Sequence, residues 1–242
     1  MHRWKLKLKR GEVWGLAWLP GFVRKLQRVN LPMPGIFRPV FRLLYGFHYS
    51  VIVIVRRLLI FFYKEPLFRS RCAKVGRNLQ LYTDLPYVSG HAEISIGDDV
   101  TITGGLTIIS GRFVDRPTLT VKDRVVLGGG SSISVNLEVL IEDDVMISTN
   151  CSIADNDGHP REAHLRAAHA PLSARDMRPV RIRRYAWIGN GAQIRKGVTI
   201  GEGAIIGANS VVISDIPDYC VAMGNPAEVY FRNVGRRRPE PA

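Results

Sequence analysis

Branched aliphatic residues recur at every sixth position in four runs: Ile96, Ile102 and Ile108; Val121, Leu127, Ile133 and Val139; Ile141, Ile147 and Ile153; and Ile182, Ile188, Ile194, Ile200, Ile206 and Val212. Glycine often follows the aliphatic, as at Gly97, Gly128, Gly189, Gly201 and Gly207, and a small or medium side chain lies four places after it, as at Val100, Val125, Val145, Cys151, Ala192, Val198, Ala204 and Ser210. One α-helix does not use this pattern, because six-residue steps carry successive hits around the cylinder. A flat strand alternates over two. A period of six suits a coil of short strands and tight turns, each sending one branched side chain inward, with glycine beside it for the backbone conformation of the corner. Stacked coils pair their strands about 4.8 Å apart and align the inward side chains in a column. Three hexads to a coil predicts roughly five coils, with the hexad core beginning near Ile94. The expected class is mainly β, a parallel β-helix of hexapeptide repeats.

The runs break at three places. Ser110–Thr118 is a short excursion, a two-residue slip separates Val139 from Ile141, and Pro160–Pro179 is a long insertion that leaves the coil and returns. Long insertions in compact domains are usually functional.

A different pattern precedes the hexads. Residues 36–64 are apolar runs studded with arginine. Their uninterrupted part, Leu43–Val55, is shorter than the ~20 residues of a membrane span, and extending it takes in Arg56 and Arg57, each costing about 2.5–3.5 kcal/mol at the bilayer centre. On a helical wheel Arg38, Arg42, Arg56, Arg57 and Lys64 fall within one arc of about 100°, with Leu, Ile, Val and Phe on the other sides. That is the pattern of an in-plane interfacial helix, with Pro66 as its stop. Trp4, Trp14 and Trp18 lie among Lys and Arg, as in a headgroup-level anchor. Packing of the apolar face on the β-helix or between subunits is the competing reading.

Charge sharpens this division. Residues 1–77 hold 17 Lys/Arg against two acids, a net of +15, and the remaining 165 hold 17 against 19, a net of −2, so the positive charge of the chain, formally +13 in all, sits in the head. Such asymmetry points to an anionic surface, and with no nucleic-acid motif beside it the expected partner is an anionic membrane surface and not nucleic acid. Cys72, Cys151 and Cys220 are scattered, with no CxxC and no zinc spacing, which suits a reducing compartment. No small-x-small cleavage site follows the basic N-terminus, so a signal peptide is not expected. The expected organisation is a membrane-associating segment over 1–65, a repeat domain over 66–232 with its insertion at 160–179, and a basic tail over 233–242.

The stretch Ala186–Ala227, AWIGNGAQIRKGVTIGEGAIIGANSVVISDIPDYCVAMGNPA, resembles the C-terminal part of hexapeptide-repeat acyltransferases, closest to the branch of bacterial polysaccharide and maltose/galactoside O-acetyltransferases. The resemblance runs from about Pro66 to Arg232. It implies a left-handed β-helix, a homotrimer, and acetyl-CoA as co-substrate in the groove between neighbouring subunits. Trp187, Gly189, Lys196, Gly207, Ala208, Asn225, Pro226 and Ala227 match stretches that line this groove in relatives. Trp187 has two readings, lining the acceptor pocket or covering a coil edge.

Ala154-Asp155-Asn156-Asp157-Gly158-His159-Pro160 closes the third run and resembles the family's catalytic turn, which makes His159 the candidate general base. An alcohol is a poor nucleophile at neutral pH, and imidazole titrates close to it. A carboxylate on the other ring nitrogen would fix the tautomer, and both Asp155 and Asp157 are candidates. His164 and His169 lie in the insertion, but consecutive histidines in one excursion do not match the metal site that related folds build across subunits, so no metal is expected. Cys151 occupies a hexad place of buried filling.

The expected activity is transfer of acetyl from acetyl-CoA to a sugar hydroxyl of a bacterial surface polysaccharide or its lipid-linked precursor, at the cytoplasmic face of the inner membrane. The alternatives are N-acyl transfer to an amino sugar and a non-catalytic β-helix scaffold.

Overall fold

The computed structural model describes residues 18–26, 34–111 and 113–235. The expected anchors Trp4 and Trp14 and the tail from 236 lie outside these residues. The chain falls into two compact units, Met1–Val53 and Ile54–Ala242.

The larger unit is a left-handed parallel β-helix with three walls. The first sheet holds Lys74–Val75, Glu93–Ile96, Thr118–Val121, Glu138–Ile141, Val180–Ile182 and Thr199–Ile200 in that order. The second runs from Gln80–Leu81 to Ile205–Ile206 and closes with the antiparallel hairpin Val221–Gly224/Ala227–Phe231. The third runs from Tyr87–Ser89 to Val211–Val212. Six full coils result, not five. The extra one comes first, and its inward residues Val75, Leu81 and Val88 are spaced six and then seven apart, which hides it from a strict period of six. Register is in phase throughout, with Ile147 over Ile188 and Ile153 over Ile194. Ile94, Ile108, Val139, Ile141, Ile182, Ile188, Ile194 and Ile200 have no exposed surface.

Two details of the hexad differ from the expectation. Left-handed backbone falls three places after the aliphatic, at Asn78, Asp99, Arg124, Gly130, Asp144, Asn150, Tyr185, Gly191, Gly197, Gly203 and Asn209. The glycine directly after the aliphatic serves close approach instead. A Cβ on Gly189 would lie 2.6 Å from the carbonyl oxygen of Ile206, and one on Gly201 would lie 2.4 Å from the nitrogen of Asp218. The slip at Val139–Ile141 is a four-residue strand with both alternate side chains inward, as at Ile94/Ile96 and Leu119/Val121.

In the smaller unit, Leu19–Leu26 is helical, and a 3-10 turn at Gly35–Phe37 leads into a 22-residue α-helix, Arg38–Leu59, which runs on into the larger unit and has no buried residue. A π-helical turn, Ile60–Lys64, follows, and then Glu65–Arg69. Pro66 is therefore not a stop: it occupies a first turn, where a missing N–H costs nothing. Lys64 stays on the side of Arg57 and donates to the carbonyl of Thr83. Ile60 and Phe68 enter the β-helix core.

Candidate active site

The turn bearing His159 starts where Ser152–Ala154 leaves the third sheet, at the corner facing the first sheet. A ladder of buried polar side chains climbs this corner. The Ser110 hydroxyl accepts the N–H groups of His91 and Ala92 at 2.7 and 3.0 Å. Asn136 Oδ1 accepts the N–H of Gly111 at 2.5 Å. The Asp155 carboxylate accepts the N–H of Asn136 at 2.8 and 3.0 Å and that of Leu137 at 2.6 Å, with the Asn156 amide at 2.8 Å. Each rung satisfies the turn of the coil before it, where an orphaned backbone donor costs about 1–3 kcal/mol. Burial pushes the Asp155 carboxyl above its ordinary value, against the downward pull of the Asn156 amide and of backbone N–H groups.

Asp157 sits differently. Its Oδ2 accepts Lys196 Nζ at 2.6 Å and Arg161 Nε at 3.0 Å, and its N–H donates to the carbonyl of Asp176 at 3.1 Å. Burial acts to raise its carboxyl, but Lys196 and Arg161 hold it below the usual carboxylate range. The Lys196 side chain is only 8% exposed and also donates to the carbonyl of Arg175 at 3.1 Å. Lys196 thus ties both the turn and the returning end of the insertion to the coil between Gln193–Ile194 and Thr199–Ile200.

The insertion is itself braced. It carries a short helix, Ala163–Ala167, and a 3-10 turn, Ala174–Asp176, closed by a capping box in which the N–H and hydroxyl of Ser173 both donate to Asp176 Oδ2 at 2.8 and 2.7 Å. These two bonds hold the Asp176 carboxyl low. Asn156 bridges to Met177, and the N–H of Arg178 donates to the carbonyl of Asp155 at 2.8 Å. His159, between these fixed points, is exposed. Among the described residues no hydrogen bond joins Asp155 or Asp157 to its ring.

The other candidates occupy a different corner. Gly189 follows the second-sheet strand Trp187–Ile188, and Gly207 and Ala208 follow Ile205–Ile206 one coil later. Gly189 lies against the nitrogen of Ala208, and Gly207 lies against Met223. Asn225 and Pro226 form the tip of the closing hairpin, and Ala227 starts its return strand. Trp187 is 49% exposed, its indole N–H donating to the Ser148 hydroxyl at 3.3 Å. It stands in register with Met146 and Ile205 on the outer face of the second sheet. The structure thus brings Asp155, Asp157, His159 and Lys196 to one corner and Gly189, Gly207 and Ala208 to another, with the hairpin tip at the end of the second sheet.

Sequence reasoning missed Asn136, Asn156 and Asp176. Only Asp176 had a local signal, the Ser-x-x-Asp spacing of a capping box. Cys151 and Cys220 are buried, and all three cysteines are free thiols. Among the described residues no group of three or more His, Cys, Asp or Glu is arranged to hold a metal ion.

The family model for the bacterial transferase hexapeptide (six repeats) matches residues 179–214. The galactoside O-acetyltransferase of Escherichia coli (strain K12) is 31% identical over 174 residues, covering 72% of this chain and 70% of that protein. The probable acetyltransferase Rv3034c of Mycobacterium tuberculosis is 36% identical over 114 residues, which cover 46% of this chain and 36% of that protein, so the chain spans little more than a third of that relative's length. Among solved structures, a variant of AntD, an N-acyltransferase from Bacillus cereus in complex with dTDP and coenzyme A, superposes with a TM-score of 0.58 at 19% identity over 72% of this chain and 91% of that one. At that identity the likeness is one of fold.

Proposed function

Because this chain belongs to the hexapeptide-repeat acetyltransferase family, we propose that it moves the acetyl group of acetyl-CoA to a hydroxyl of a sugar in a surface polysaccharide or its lipid-linked precursor. His159 is the general base in this reading. Its ring accepts the hydroxyl proton as the sugar oxygen bonds to the thioester carbonyl carbon. The carbon–sulfur bond then breaks, and the thiolate of coenzyme A leaves and takes the proton back from the imidazolium. The products are an acetyl ester and the free thiol. An exposed imidazole suits this task when its backbone is held still, since positioning within about 0.5 Å is what makes such a base effective. The Asp157–Lys196 pair and the Asp155 ladder supply that rigidity on either side of the turn. We assign Asp157 and Asp155 to this support and Lys196 to the anchor.

The observation that carries the assembly is the division of candidates between two corners. In a homotrimer, the His159 corner of one subunit would face the Gly189–Ala208 corner of its neighbour, with acetyl-CoA in the groove between them. Trp187 and the turn Asn225–Ala227 would line that groove. Co-expression of His159→Ala and Ala208→Trp chains tests this. Each variant alone is inactive, but if each site takes one part from each subunit, one of the three interfaces in every mixed trimer regains activity, roughly one quarter of all interfaces in an equal random mixture. No recovery on mixing would place the whole site within one chain. The sugar reading draws on the E. coli relative, whose name specifies a galactoside acceptor. The polymer and lipid-linked reading draws on the basic apolar head.

A further inference from the structure

The N-terminal helix meets the β-helix with what the wheel marks as its polar side. The Arg57 guanidinium lies 5.9 Å from the ring centre of Tyr82, Lys64 donates to Thr83, and Ile60 between them is 5% exposed. Tyr82 and Thr83 directly follow the first strand of the second sheet, in the first coil. The opposite side is turned out. Leu58, Phe61 and Phe62 are 52%, 67% and 73% exposed. A helix stabilised only by its own chain would bury these side chains and leave Arg57 and Lys64 in water, because removing Leu and Phe from water is favourable and removing a cation from it is not. The same apolar direction continues toward the N-terminus, about 180–240° from Arg38 on the wheel, through Leu44, Phe47 and Val51. These three are also exposed. The cations not engaged with the first coil, Arg38, Arg42 and Arg56, lie within about 40° of one another on the other side.

We infer that this ridge is a lipid-binding edge. The helix Arg38–Leu59 and the adjoining π turn lie in the plane of an anionic bilayer, with Leu44, Phe47, Val51, Leu58, Phe61 and Phe62 in the acyl layer and Arg38, Arg42 and Arg56 among the phosphates. By length and composition alone the helical stretch Gly35–Arg69 could cross a membrane. However, the clamp of Arg57 and Lys64 on the first coil keeps that end out of hydrocarbon, and the apolar run Leu43–Val55 is only about 20 Å long against a core of about 30 Å. In-plane burial to about 5–10 Å satisfies both facts. Charge complementarity selects the lipid: the first 77 residues hold 17 Lys/Arg against two acids, and each cation near an anionic leaflet favours binding. The lipid edge itself does not depend on the chemistry at His159.

The test is vesicle flotation of the full chain on equal parts phosphatidylcholine and phosphatidylglycerol, beside phosphatidylcholine alone. Wild type is expected to float with the anionic vesicles. The triple change Leu58→Glu, Phe61→Glu, Phe62→Glu is expected to lower partition by about 100-fold or more while keeping the thermal transition, since all three side chains are exposed. Arg38→Glu, Arg42→Glu, Arg56→Glu is expected to weaken the preference for anionic over neutral vesicles by about tenfold or more, and an unchanged preference overturns the placement of these cations among the phosphates. Phe62→Trp reads depth with little disturbance of the fold, and brominated acyl chains are expected to quench the added indole. Wild type left unfloated overturns the inference, as does an unquenched Trp at 62. So does a triple-Glu form that floats like wild type but loses its oligomeric mass, since the ridge would then be a protein interface.

Discussion

Replacing Lys196 with Met keeps most of the aliphatic stem and deletes the ammonium. Two bonds are lost: the charge-assisted one to Asp157 at 2.6 Å and the one to the Arg175 carbonyl at 3.1 Å. The ammonium is the donor in both, and such bonds contribute about 1.5–3 kcal/mol each, less where the partner meets solvent. The full penalty of an unpaired buried charge is not reached, because Asp157 keeps Arg161 and its side chain is 20% exposed. A net loss of about 2 kcal/mol per chain is expected, or ~4–8 °C in Tm. Acidification supplies a second check. The folded-state pKa of Asp157 lies below its ordinary value, so the pair's contribution is complete above about pH 4 and is lost as pH falls through the folded-state value. The Tm gap between Lys196→Met and wild type should therefore narrow in acid. Calorimetry across pH reads this, and a steady-state assay reads the rest. kcat should fall, because the His159 turn loosens, while the affinity for coenzyme A stays within about threefold, below 1 kcal/mol. An unchanged Tm together with a selective loss of coenzyme A affinity would refute the reasoning and make Lys196 a phosphate ligand.

Asp155→Ala should cost about 2–4 kcal/mol in chemical denaturation, since it orphans the backbone N–H groups of Asn136 and Leu137 in a largely buried corner, while the Asn156 amide keeps its bond to Ser134. Loss of less than 1 kcal/mol would show that the ladder carries little. His159→Ala should leave the denaturation midpoint where it is, because the side chain is exposed and makes no hydrogen bond among the described residues, while kcat falls by about 10²–10⁴. Near-normal turnover in the folded variant would remove His159 from the mechanism.

The hexad was legible because one inward side chain per short strand leaves a period that nothing else in a chain produces, and from Ile96 to Val212 its aliphatic hits are core residues. The first coil was not, since the seven-residue step from Leu81 to Val88 hides the period. Glycine was misread for a physical reason. Gly97 and Gly201 look like turn residues in a linear sequence, but their small size answers a neighbour twenty or so residues away. The left-handed places are filled by Asn, Asp, Arg and Tyr as well as Gly, so composition does not mark them. The π turn at Ile60–Lys64 was not legible, because it has no local sequence signature. The division of Asp155 from Asp157 needed the third dimension: neighbours two apart in sequence serve backbone amides in one case and Lys196, 39 residues away, in the other.

The central claim is acyl transfer to a sugar hydroxyl, and the bond formed identifies it most directly. Purified full-length protein is incubated with radiolabelled acetyl-CoA and a panel of galactosides, oligosaccharides and lipid-linked glycans, and the labelled product is then treated with mild alkali. The account predicts acceptor-dependent release of the coenzyme A thiol and a labelled sugar that alkali strips of its acetyl group, as an ester must be. An alkali-stable label would make the product an amide, and thiol release that no sugar stimulates would mean that the chain transfers acetyl to none of these acceptors; either result contradicts the account.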